Sequence, residues 1–527
     1  MSQTLYFGGD IVTLVQPFYA EAVLCEDGRI AAVGTLEKLR ALAPKAREYD
    51  LKGATLLPAF LDPHSHLTAL ASTLQLAALG GSKDIPELVG RLEAFEKENG
   101  PDTQRFLMGF GYDHNALKER RHPTRRDLDG AFPDTPVLIT HMSGHMGVAN
   151  SAALALAGIG PDTPDPEGGV IGREADGRTP SGYLEENAFF AVSRISPPPD
   201  ENARLRALSR AQDVYLQNGI TTVQDGLLKQ EEFELLKSAA ENGRLKVDVV
   251  GYMDVKNAAE VPSAPYDGGY RNHFRVGGYK LFLDGSPQGR TAWMSEPYEG
   301  EKDYCGYPIY GNEEVKRLIA RAVKEDRQLL THCNGDAAAQ QLIDCYGEVK
   351  QDLGSEADLR PVMIHAQLVR DDQLDKMKEI GMMPSFFVAH VRYWGQTHLK
   401  NFGPARAARI SPLKTALDKG LHFTLHQDTP VIPPNMLETV QCAVRRVTAD
   451  GTPLGPEQEI SVTDALRAVT IEAAYQYHEE AEKGTIEPGK RADFVVLSAN
   501  PVNVPKKAIE DIRVLATIKE DRELYRR

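Results

Sequence analysis

The sequence predicts an α/β protein: a (β/α)8 TIM-like barrel, a β-sandwich built from both chain termini, and an inserted subdomain between barrel strands 1 and 2. Three observations lead there. Through the body of the chain, eight short apolar β-type runs alternate with amphipathic helical segments, the rhythm of βα units on a parallel sheet. The two ends have a different texture, short β-rich runs joined by turns. The first and second of the eight runs lie about 150 residues apart, far more than a connecting loop needs.

Taken in order, the opening stretch LYFGGDIVTL and AEAVLCEDGRIAAVG contains short β runs, with Asp27-Gly28 as a tight hairpin turn. Residues 484–497 repeat that texture near the other end, so 1–55 plus 484–527 are assigned to the composite β-sandwich. The eight barrel strands are placed at 56–62, 221–225, 246–251, 276–283, 328–332, 361–365, 383–387 and 423–428. Asp371 is a candidate cap for a helix stopping at Gly381, and Thr463 for the run ending at Gly484. The barrel then takes 56–75 plus 205–483. Residues 76–204 form the insert, whose segment GPDTPDPEGGVIGREADGRTPSGYLEE suggests short strands and hairpins over the barrel mouth.

Composition narrows the partners. A chain of 527 residues exceeds one ordinary core, and 42% hydrophobic with 26% charged residues is a soluble globular balance. A net charge of -15 argues against nucleic acid or an anionic membrane and favours a small-molecule substrate. The five cysteines (Cys25, Cys305, Cys333, Cys345, Cys442) are scattered without a C-x-x-C spacing, which suggests neither disulfides nor a thiolate zinc site. No signal-like start or membrane-length apolar stretch is visible, so a cytoplasmic location is expected. A homodimer is the expected assembly, without a direct signal for it.

Barrel enzymes carry their chemistry at the C-terminal strand ends, and polar residues fall there systematically. Strand one ends in Asp62-Pro63-His64-Ser65-His66, strand four carries Lys280, strand five ends at His332, strand six at His365, and strand eight at His426-Gln427-Asp428. Residues two apart on a strand face the same way, so His64 and His66 can address one ion. Imidazoles and a carboxylate suit zinc or a similar divalent metal. Each residue alone has a bland reading: an exposed H-x-H, a hydrogen-bonded histidine, Asp428 capping a turn, Lys280 a solvated barrel lysine. All of them at strand ends outweigh those readings together. Asp225 closes strand two as a substrate contact or a turn residue; His390 and Arg392 follow strand seven, facing substrate or water; Trp394 is a candidate pocket wall.

The segments PAFLDPHSHL, MSGHMGVANSAAL, GITTVQDG, GYKLFLDGS, THCNGDAA, MIHAQLV, HQDTPV and GTIEPGKRADFVVL resemble the amidohydrolase superfamily. The similarity is to its YtcJ-like branch (amidohydrolase family 3), which contains the N-substituted formamide deformylases, and it covers nearly the whole chain. It implies a more buried metal on His64 and His66, a more exposed one on His332 and His365, and Asp428 touching the buried metal while handling protons. Lys280 would bridge two ions as a carbamate; unmodified, it implies one. Zinc leads manganese, iron and cobalt as the expected ion. The resemblance implies metal-activated hydroxide attacking a carbonyl, with Asp428 as general base and then acid. His145 of the S-G-H motif is the candidate oxyanion donor, or else a residue that only holds the insert together. His426 stands where many members have a small residue such as Ser. The implied reaction is hydrolysis of a carbon–nitrogen bond in an amide, N-acyl or N-formyl compound. An esterase, lactonase or phosphoester hydrolase on the same metals is the alternative, and a non-catalytic scaffold ranks behind both because every expected ligand is present.

Overall fold

The computed structural model describes residues 3–100, 106–258 and 265–527. The chain divides into two compact units, Met1–Ala69 with Ala211–Arg527, and Leu70–Arg210.

In the first unit, eight strands hydrogen-bond in sequence order into one parallel sheet. They are Phe60–Leu61, Ile220–Leu228, Asp248–Asp254, Phe274–Phe282, Gln328–Cys333, Val362–His365, Met383–Phe386 and Thr424–Leu425. The sheet curls until the ends of its first and last strands meet, where the His66 N–H donates to the Thr429 carbonyl at 2.8 Å. This is a TIM-barrel-like α/β fold. Leu61, Val250, Tyr252, Leu330, Ile364 and Met383 belong to one buried cluster. The connecting helices follow their sequence periodicity: Asn312–Lys324 buries Val315, Leu318, Ile319, Ala322 and Val323 on one face.

Local differences from the sequence expectation have identifiable causes. The single run 56–62 serves two sheets. Thr55–Pro58 pairs antiparallel with Phe494–Leu497, whereas Phe60–Leu61 joins Ile220–Leu228. Between them the Ala59 N–H donates to Asp493 and the Phe60 N–H to Gly219. Because 55–61 is buried throughout, hydrophobic pattern cannot show where the partner changes. Asp371 is the first helical residue rather than the cap; the Gln373 side chain accepts from the Arg370 N–H at 2.9 Å, and Gly381 ends the helix with φ +75°. Ser461, not Thr463, caps Val462–Ala468, its Oγ accepting from the Asp464 N–H at 3.1 Å.

The strands of both chain ends are joined into a single sheet of eight, where a sandwich is expected. Tyr19–Glu26 and Arg29–Gly34 form the anticipated hairpin, with Asp27 (φ +47°) and Gly28 (φ +83°) in the left-handed region that a type I′ turn requires. Tyr6, Ile11, Val23, Leu56, Phe494 and Ile518 form its core.

The second unit carries a six-stranded sheet in the order Gly169–Arg173, Pro180–Glu186, Met146–Ala149, Val137–His141, Leu107–Tyr112, Ala77–Ala78. The turn-rich segment makes the hairpin of the first two strands. Successive residues alternate between two cores: Ile139 and Val148 join Leu88 and Leu92, while Leu138 and Ala149 join Leu184 and Phe189. Among the described residues, no helix is long and apolar enough to cross a membrane.

A buried charge cluster ties the terminal strands to the barrel. Asp248 Oδ2 accepts from Lys483 Nζ and Lys519 Nζ, each at 2.7 Å, and Oδ1 lies 2.7 Å from His273 Nδ1. Burial alone would raise the Asp248 carboxyl, but Lys483 and Lys519 outweigh it and hold the pKa well below the ordinary value. Replacing Asp248 with Asn should therefore cost about 3 kcal/mol at neutral pH, because two buried lysines lose their shared counter-charge and keep only Glu479, 2.7 Å from Lys483, and Asp493, 3.6 Å from Lys519. The folded pKa is depressed, so the contribution is complete at neutral pH and is lost progressively as pH falls below about 4. Urea unfolding of wild type and D248N should converge in acid; a pH-independent gap would refute the ion-pair account.

Candidate metal centre

The parallel register brings the predicted ligands to one rim. His365 pairs with Cys333 and Phe386, and His332 with Phe282 and Ile364, so consecutive strands end at the same level. Curling then places His64 and His66 beside Asp428. His64 Nε2 lies 3.3 Å and His66 Nε2 3.2 Å from Asp428 Oδ1, with the three donor atoms all within 4.8 Å of one another. Asp428 Oδ2 faces the other way, 4.0 Å from His365 Nε2, which is itself 3.0 Å from His332 Nδ1. Lys280 Nζ reaches the same space, 3.2 Å from His64 Nε2. The six predicted ligands therefore converge, with Asp428 presenting one oxygen to each histidine pair.

Hydrogen bonds on the outer side of each ring decide which nitrogen is free. His64 Nδ1 donates to Gln224 Oε1 at 2.6 Å, and Gln224 is itself fixed by donating to the Pro63 carbonyl. His365 Nδ1 donates to His426 Nε2 at 3.1 Å, and His426 Nδ1 to Ser385 Oγ at 2.9 Å. His332 Nε2 faces the Gly285 carbonyl at 3.3 Å. Each assignment leaves a lone pair pointing inward. His332 Nδ1 and His365 Nε2 face each other at 3.0 Å; Asn334 Nδ2, 3.0 Å from His332 Nε2, supports the tautomer in which His332 Nδ1–H donates to His365, whereas the Gly285 carbonyl supports the one that leaves both facing nitrogens free for a cation. The buried Asp428 Oδ1 likewise accepts no hydrogen bond. Residues and chemistry thus fit a divalent cation.

Electrostatics agree. Burial, and then the Lys280 charge, push His64 well down and His332 to about 4; burial and then the neighbouring His332 push His365 well down. These imidazoles are neutral at physiological pH, as ligation demands. Burial lowers Lys280 to about 7, so much of it is free amine there. Two ligands sit on left-handed backbone, His365 at φ +73° and Asp428 at φ +55°, a strain that clusters at functional sites. Gly226 is required where it stands: a Cβ there would lie 2.7 Å from His64 Cε1 and 3.1 Å from His66 Cε1.

Other expected residues are placed differently. Asp225 is buried, accepts from the Thr68 N–H at 2.8 Å, and is raised to about 6 by burial, so it braces the loop that carries His66. His390 is buried, with Nδ1 3.0 Å from His398 Nε2 and its ring against Phe387 and Trp394. The Arg392 guanidinium pairs with Glu510 and Glu438, which occupies the donors expected for a substrate oxygen. Trp394 is half-buried beside Phe387 and His390. His145 lies in the second unit, more than half exposed, with Nδ1 3.2 Å from Glu186 Oε2. Gln224 and Ser385 escape the sequence reading altogether, although a polar Gln within the apolar run ITTVQDG is a visible signal.

The amidohydrolase family profile matches residues 47–525. This chain belongs to the amidohydrolase family. A short match at residues 22–46 is to an imidazolonepropionase-like composite domain of bacteria. Among its relatives, this amidohydrolase is 30% identical to N-substituted formamide deformylase of Arthrobacter pascens, over 94% of this chain and 93% of that protein. It is 28% identical to the YtcJ amidohydrolase of Bacillus subtilis (strain 168), over 98% of each. A solved structure, an uncharacterized metal-dependent hydrolase from Pyrococcus horikoshii OT3, superposes with a TM-score of 0.76 at 25% identity, covering 96% of this chain and 99% of that one.

Because Gln224 alone fixes the outer nitrogen of His64, Gln224→Leu should weaken metal binding about 10- to 100-fold. Competition with a chromogenic chelator measures this, and unchanged affinity would show that the His64 tautomer needs no such partner.

Proposed function

We propose that this amidohydrolase uses a divalent metal, zinc first among candidates, to hydrolyse a carbon–nitrogen bond in a small non-peptide amide, an N-formyl or N-acyl compound. One observation carries the reading: four imidazoles, a carboxylate and a buried lysine converge on one space at the strand ends. The deformylase relative supports the choice of bond.

His64, His66 and Asp428 Oδ1 would hold one ion, and His332 with His365 a second. Lys280 would help to hold a second ion if its free amine added to CO2, forming an N–C bond and releasing a proton, because the resulting carbamate is an anionic oxygen ligand where an ammonium is none. When bound, the metal supplies Lewis acidity, activating water near neutral pH and polarising the scissile carbonyl. Asp428 stands between the two histidine pairs and is the group placed to move protons. It takes the proton of the attacking water and passes it to the departing nitrogen, so that the C–N bond breaks to an amine. Gln224, His426 and Ser385 keep the imidazoles in register throughout.

Chelator-stripped protein should lose activity toward N-formyl and N-acyl amines and regain it with Zn2+. D428N should lower kcat about 10²- to 10⁴-fold. A panel of formamides, longer amides, dipeptides and esters ranks the bond by kcat/KM. Preference for esters, or hydrolysis indifferent to chelation, would overturn the assignment.

A further inference from the structure

The second unit contains another convergence of metal-ligating side chains. The adjacent parallel strands Leu107–Tyr112 and Val137–His141 end together, with Tyr112 opposite His141. The turn after the first strand supplies Asp113 and His114, and the second ends on His141. His114 Nδ1 lies 3.2 Å from His141 Nε2, Asp113 Oδ1 lies 3.8 Å from His141 Nε2, and the same oxygen lies 4.0 Å from His114 Nδ1. A point about 2.1 Å from all three atoms exists, which is the length of zinc–imidazole and zinc–carboxylate bonds.

We propose that Asp113, His114 and His141 form a binding site within the second unit for a borderline divalent transition cation of the Zn2+ class. The trio has the supports that ligands need. Ser143 Oγ, 2.9 Å from His141 Nδ1, accepts its proton in the tautomer that leaves Nε2 free. The Ser143 backbone N–H also lies 3.1 Å from that nitrogen and favours the other tautomer, in which Nε2–H donates to His114; a cation on Nε2 requires the proton to shift to Nδ1, where Ser143 Oγ accepts it. Asp113 Oδ1 is steered by the Asn115 N–H at 2.9 Å. His114 is held by stacking on His122, with centroids 4.0 Å apart at 22°, and His122 is anchored by the Tyr112 hydroxyl 3.0 Å from its Nδ1.

Exposure sets the character of the site. The His141 side chain is 9% exposed, but those of Asp113 and His114 are 33% and 29% exposed. One side of the trio therefore opens to water, which would complete the coordination shell. Two imidazoles and one carboxylate select zinc, copper or nickel over calcium and magnesium, which prefer all-oxygen shells.

The test counts Zn2+ bound by chelator-stripped, full-length protein. Wild type should bind one equivalent more than H114A/H141A. H122A should retain that equivalent with about tenfold weaker affinity. Equal stoichiometry in wild type and H114A/H141A, both folded by circular dichroism, would overturn the site and leave a hydrogen-bonded trio. Should the double variant misfold, carbethoxylation of wild type read by peptide mass spectrometry decides instead. Zn2+ must then protect the peptides bearing His114 and His141, and absence of protection rejects the proposal.

Discussion

The metal centre depends on one contact, the meeting of the first and last barrel strands. His64 and His66 come from one edge of the parallel sheet and Asp428 from the other, yet their donor atoms stand 3.2–3.3 Å apart. Nothing local imposes that proximity. It follows from the twist that curls eight consecutive parallel strands, secured at the rim by the His66 to Thr429 backbone hydrogen bond. The Asp248 cluster fixes the opposite geometry, holding Lys483 and the terminal strand bearing Lys519 against the third barrel strand.

Around this framework the protein decides ring orientation with uncharged partners. Gln224, His426 and the Gly285 carbonyl each take the outward side of a ligand imidazole. A carboxylate in those places would make the imidazoles more basic; neutral partners fix direction while burial keeps the rings deprotonated. His426 shows how one larger side chain becomes useful: it fills the strand-eight interior and relays the His365 ring to Ser385. Preorganisation of this kind carries a conformational cost, visible in the left-handed backbone at His365 and Asp428.

Much of this was legible before any coordinates. The alternation of apolar runs and amphipathic helices marks the eight strands, and polar residues at their C-terminal ends mark the six convergent side chains, because both signals are periodic or positional. What remained hidden is what depends on partners. The run at 55–61 is buried throughout and apolar from Leu56 on, and gives no hint that it changes sheets at Ala59. Arg392 has the chemistry of a substrate clamp, and only the neighbouring Glu438 and Glu510 show it committed elsewhere. Asp113 and His114 are separated from His141 by the helix Arg125–Asp129 and a whole strand, so their proximity arises only from register.

The shared run at 55–61 also bears on how the molecule is made. Thr55–Pro58 pairs with Gln3–Val12 on one side but finds its other neighbour in Phe494–Leu497, and His64 waits on the barrel strand that leads to Asp428. Both contacts join segments translated at opposite ends of synthesis. On the ribosome, an emerging chain can complete helices, the six-stranded sheet of the second unit and the pairing of Phe60–Leu61 with Ile220–Leu228, but the rim where His64 and His66 meet Asp428 stays open until the eighth strand has emerged. That meeting is thus a late step of assembly, and a chain that stops short of Asp428 cannot make it.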